Sequence, residues 1–133
     1  MQDAAAEQPR RLLASGVLRL DSAAPSFVGG RAFVRLEDTT YADARATLLA
    51  EQIIADVNHT TGTAEEIPYA LYGPAPSPGV CDASISAHVD VNGDGKINSG
   101  DLLSEQSYPA SLAKENDMAA PSGIVVQVRL YQT

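Results

Sequence analysis

The chain has a single cysteine, no tryptophan, and aromatic residues at only 5%. One cysteine rules out a disulfide framework and any zinc site built on several thiolates. Positive charge is also scarce. Nine Lys and Arg stand against 17 Asp and Glu, for a net charge of -8 and a pI near 4.5. Such a surface repels phosphate backbones and anionic lipid, which argues against a nucleic-acid partner and leaves divalent cations as suitable ones. No apolar run approaches the roughly 18 residues a membrane-spanning helix needs. No G-x-G-x-x-G or Walker-type phosphate loop is present. What remains, in 133 residues, is one domain with a modest core of Leu, Val and Ile in an alanine-rich chain.

Residues 1–9 are Ala, Gln and acid without periodicity and read as a flexible leader, lacking the basic and apolar regions of a signal peptide. Residues 10–133 read as a single domain. Its dominant signal is apolar residues at every second position. Ile124, Val126, Val128 and Leu130 would face a core, with Gln127 and Arg129 outward. The same alternation runs through Leu18–Asp21, Ala32–Glu37, Ile67–Leu71 and Ala83–Val89. Turn residues separate these runs: Pro25, Gly29-Gly30, Gly62, the Gly73–Gly79 stretch and Pro121-Ser122-Gly123. Short strands at this spacing predict an all-β fold, an antiparallel β-sandwich of about seven strands with Greek-key connections. Asp43–Ala55 is ambiguous on its residues alone. It has an N-cap candidate, and Leu49, Ile53 and Val57 fall at helical spacing.

One segment carries chemistry. Asp90-Val91-Asn92-Gly93-Asp94-Gly95-Lys96-Ile97-Asn98-Ser99-Gly100-Asp101 fits a twelve-residue calcium loop. Asp90, Asn92 and Asp94 hold positions 1, 3 and 5, and Gly95 supplies the sharp turn at 6. Lys96 would offer its carbonyl at 7, Asn98 acts at 9 through a water, and Asp101 closes the loop at 12. A hard cation takes six to eight oxygens, and alternate residues of a tight turn point inward to supply them. The plainer reading is an Asx- and Gly-rich turn, but a plain turn does not need acids at both ends. The repeat resembles that of dockerin modules, D-x-N-x-D-G-x-I-N-x-x-D. Strand periodicity at Ser84–Val89 replaces the helix of an EF-hand, so the loop is expected to join two strands of a hairpin and to clamp it with calcium.

The other polar candidates are weak. His59 in a turn-like stretch and His88 on the outward face of a strand are both expected to be solvated surface residues. Cys81 lacks a nearby base and reads as a bystander thiol. Asn58-His59-Thr60 is a formal glycosylation sequon. Glu37-Asp38 and Glu65-Glu66 are adjacent in sequence, so on a strand they point to opposite faces and make poor acid–base pairs. No enzymatic activity is expected.

Several short stretches, taken in order, carry a resemblance. These are Val34–Thr39, Tyr41–Ala44, Leu49–Ile53, Ile67–Leu71, Ser107–Pro109 and Val126–Leu130. With them the chain resembles the YbaY/YscW-type lipoprotein family, which includes pilotin-like chaperones of type III secretion. The resemblance implies a β-sandwich, a strand rather than a helix over Thr47–Ala55, and a place in the cell envelope, with a lipid anchor in a full-length precursor. The combined expectation is a non-enzymatic envelope or extracellular module stabilised by one calcium ion. The alternative is a pilotin- or chaperone-like module that binds a protein or peptide on an exposed sheet edge, with the loop a plain turn.

Overall fold

The computed structural model describes residues 11–39, 47–74, 82–91, 101–104, 108–110 and 122–130. The expected leader, Cys81 and the interior of the calcium-type loop, including Asn92, Asp94, Lys96 and Asn98, lie outside the described residues. Among the described residues there is no helix. The elements are β1 (Arg11–Leu20), β2 (Phe27–Asp38), β3 (Thr47–His59), β4 (Glu66–Gly73), β5 (Ala83–Asp90), β6 (Leu102–Ser104), β7 (Tyr108–Ala110) and β8 (Ile124–Leu130).

Alternation places the core as the sequence suggests. Ala32, Val34 and Leu36 of β2 are buried, as are Ile85, Ala87 and Val89 of β5 and Val126 and Val128 of β8. Leu18, Leu20 and Leu71 complete the same interior, and Ile124 and Leu130 pack against it half-buried. From Thr47 onward the ambiguous segment is strand β3, whose Ile53, Ile54 and Val57 suit a pleated surface, and residues 43–46 lie outside the described part of the chain. Its apparent helical stripe is broken: Val57 is buried, Leu49 half-buried and Ile53 exposed. Register shifts against β2 explain the pattern. Leu36 pairs with Ala50 but Glu37 with Leu48, and Ala32 pairs with Ile54 but Gly30 with Val57. Each step leaves an extra residue on β3, as in a β-bulge, and Asp56 takes the left-handed conformation (φ 57°) at the second.

The strands form one mixed sheet rather than a two-sheet antiparallel sandwich with Greek-key connections. The order is β3-β2-β5-β6-β8-β1-β4, with β7 added to β5. Two features cause the difference. β8 runs parallel to β1, from Gly16 opposite Ile124 to Leu20 opposite Val128, which a purely antiparallel fold excludes. The two end strands of the sheet, β3 and β4, then curl toward each other. The Ala70 N–H donates to Gln52 Oε1 across the gap at 2.8 Å, and Gly73 packs against the Leu49 carbonyl. The result is a nearly closed barrel.

The closure uses side chains instead of a backbone ladder. Pro68 lies two residues before Ala70 on β4, so it belongs to the same edge and offers no donor there. A second gap, between β7 and β8, is bridged by the Gln127 N–H donating to Tyr108 Oη at 3.1 Å. Inside the barrel, Tyr69 Oη donates to the Ile124 carbonyl at 2.9 Å, tying β4 to β8 across the intervening β1. Burial pushes the Tyr69 phenol up to about 12.

Two outcomes follow from this geometry. A Cβ placed on Gly16 would fall on the Ile124 carbonyl oxygen, well inside contact distance of fixed backbone. Gly16→Ala is therefore expected to lower the unfolding free energy by roughly 2–3 kcal/mol in urea titration, through a forced shift of the β1–β8 ladder. Neutral Tyr69 is favoured by the fold, so its contribution is complete below pH 10, where an exposed phenol ionises, and is lost as pH rises toward about 12. Wild-type stability should fall over that window. Tyr69→Phe should lose the Tyr69 share of the alkaline slope and be about 1 kcal/mol less stable at neutral pH.

Candidate functional site

The chemistry collects on the outer face of the barrel, at the base of the hairpin between β5 and β6. His88 pairs with Leu103 and Val89 with Leu102, so the loop does join two antiparallel strands as its flanks suggest. Continuing that register by one residue sets Asp90 opposite Asp101. These are the first and last acids of the calcium-type loop. His88 and Asp90 are two apart on β5 and share its outward face, while Ile85, Ala87 and Val89 fill the core.

All three side chains are buried: His88 at 8%, Asp90 at 1% and Asp101 at 1% exposure. His88 Nε2 lies 2.9 Å from Asp101 Oδ2, and the Val91 N–H donates to Asp101 Oδ1 at 3.0 Å. The Asp101 carboxylate is thereby fixed by the strand on one side and the start of the loop on the other. Phe33 of β2, the cross-strand partner of His88, stacks on the imidazole with ring centroids 5.8 Å apart and planes 17° apart. One metal-type donor atom from each of His88, Asp90 and Asp101 lies within 4.8 Å of the other two.

Burial of both histidines differs from the expectation of solvated surface residues. The outward face assigned to His88 is right, but Phe33 and Asp101 cover it. His59 is also buried, at 3% exposure, beside the ring of Phe27. Its Nδ1 lies 3.0 Å from Glu65 Oε1, which also accepts from the Thr60 N–H, and Nε2 has no partner among the described residues. Glu65 and Glu66 do point apart as their adjacency implies. Glu65 meets His59, whereas Glu66 pairs with Arg19. Asn58 of the sequon accepts from the Gly29 N–H through Oδ1 at 2.8 Å.

Of the residues assigned to the loop, Asp90 and Asp101 are brought together, and the other four fall outside the described part of the chain. His88 is the site residue that the loop pattern misses. A signal for it exists: in His88-Val89-Asp90 the two polar side chains are two apart on a strand, so they share a face.

No protein family matches the chain in sequence, and no curated protein is similar to it. Among solved structures, the barrel is similar to an alternative pilotin from the type II secretion system of Vibrio cholerae. The TM-score is 0.61 at 18% identity, over 90% of this chain and 97% of that one. The pilotin-like architecture is thus matched at the level of the fold. No helix among the described residues is long and apolar enough to cross a membrane.

His88→Phe tests the site's own geometry. It keeps a ring against Phe33 and removes the donor to the buried Asp101 carboxylate. Urea unfolding should show a loss of about 1.5–3 kcal/mol, as for a lost hydrogen bond to a charged group. Glu51→Gln, which breaks the half-exposed Arg35–Glu51 pair on the same face, should cost under about 1 kcal/mol.

Proposed function

We propose that this chain is a non-enzymatic, protein-binding module of a secretion apparatus in the cell envelope. The observation that carries the reading is the fold-wide likeness to a type II secretion pilotin, which spans nearly the whole of both chains. A partner strand added to a free sheet edge is the less favoured mode of binding. The two end strands face each other, Gln52 already occupies the Ala70 N–H, and Pro68 removes a donor from the same edge. A bulge at Asp56 and an outward charge further blunt β3. The outer face beside the seam suits a partner better. Leu48 and Ile53 of β3 and Tyr72 of β4 are exposed there, with Phe33 half-buried next to the Arg35–Glu51 pair. With a net charge of -8, the chain favours a partner whose docking patch is apolar with a basic rim.

The loop is the module's cation clamp in this reading. What supports it is that Asp90 and Asp101, eleven residues apart in sequence, are buried side by side at the loop's base. Calcium is the ion the loop pattern favours.

Photo-crosslinking in host cells tests the partner reading. A photoreactive residue at position 48 or 53 should capture a component of a secretion system in the envelope fraction. The same residue at position 19, on β1, should capture it far less. Fractionation of the chain away from the envelope, or equal capture from both faces, would refute the proposal.

A further inference from the structure

We infer that the base of the β5–β6 hairpin binds a divalent transition-metal ion of the zinc class, held by His88 Nε2 and the carboxylates of Asp90 and Asp101. The inference rests on the reading of the hairpin base as a cation site and changes the class of ion. An all-oxygen calcium loop has no use for a nitrogen donor. Here an imidazole nitrogen is turned into the cluster, from a side chain locked in place by its stack on Phe33.

The spacing fits a small ion. Zinc binds imidazole nitrogen and carboxylate oxygen at roughly 2.0–2.2 Å, so two donors on one tetrahedral ion sit roughly 3.3–3.6 Å apart. His88 Nε2 and Asp101 Oδ2 lie 2.9 Å apart, somewhat inside that spacing, and a donor atom of Asp90 lies within 4.8 Å of both. A His–Asp hydrogen bond alone accounts for two of these residues. Asp90 adds a second buried carboxylate with a donor atom within 4.8 Å of the other two, a grouping that a divalent cation stabilises. The backbone N–H of Val91 on Asp101 Oδ1 supplies the outer-shell hydrogen bond by which ligating carboxylates are oriented. All three donors come from the strand ends of one hairpin, so the described frame presents them without help from the loop's interior. One His and two Asp make an imidazole–carboxylate set, which suits zinc, cobalt or manganese better than calcium.

The test uses the whole chain, stripped with EDTA, then titrated separately with zinc and with calcium. Melting is followed in the wild type and in His88→Gln and Asp94→Ala. Imidazole nitrogen resonances are read in parallel, and with two histidines in the chain the assignment is direct. Zinc should raise the midpoint by several degrees and shift the His88 Nε2 signal while leaving His59 unchanged. His88→Gln should bind zinc roughly 100-fold more weakly, at or beyond what loss of an orienting partner alone costs, and Asp94→Ala should bind it as wild type. If His88→Gln folds poorly, the wild-type nitrogen shift decides. The proposal is overturned if zinc leaves that resonance in place, or if His88→Gln keeps full zinc affinity. A calcium response that is lost in Asp94→Ala and kept in His88→Gln, with no zinc response, would overturn it while sparing the calcium clamp. Loss of both responses would remove the cation site altogether.

Discussion

The barrel depends on the close approach of β1 to β8 at Gly16. There the backbone of the first described strand meets the Ile124 carbonyl, and no side chain fits between them. Without that approach β8 has no parallel neighbour, and Tyr69 has no carbonyl to bond. The curl that brings β4 round to β3 would also lose its anchor. The interior is built from small and medium apolar side chains, with Ala14, Ala32, Ala83 and Ala87 among its fully buried residues. Such a core offers limited apolar area, so backbone fit and side-chain bridges carry more of the specificity than bulk burial does.

Strand positions were legible in the residues because alternation survives wherever one face is buried. β2, β4, β5 and β8 fall where the periodicity puts them, and the hairpin around the acidic loop follows from strand patterning on its flank. Strand pairing was not legible. Nothing in the local pattern of Ile124–Leu130 distinguishes a parallel neighbour from an antiparallel one, so the sheet reads as a sandwich until Gly16 and Ile124 are seen together. β3 misled for a different reason. Its two bulges insert extra residues into a period-two pattern, and the shifted spacing of Leu49, Ile53 and Val57 imitates a helical stripe.

The candidate site was half legible. Asp90 and Asp101 stand out by loop spacing, and hairpin register puts them opposite each other. His88 was read on the correct face, but outward does not mean wet in a barrel with a hairpin base folded over that face. The burial comes from Phe33 on a neighbouring strand and from Asp101 across the hairpin, long-range contacts that no window of sequence reveals. His59 was misjudged in the same way, because Phe27 and Glu65 reach it from separate segments.

The pairing of β1 with β8 also sets an order of events for a chain made from its N-terminus. Residue 16 cannot meet residue 124 until nearly all the intervening chain exists, so the barrel closes late in synthesis. The β2–β3 hairpin and then the longer-range β1–β4 pair can form earlier, but β1 must wait with one side of its backbone open. A chain of this topology completes its barrel later than one closed by neighbouring strands. During that wait the open side of β1 is the part of the molecule most in need of protection from other chains.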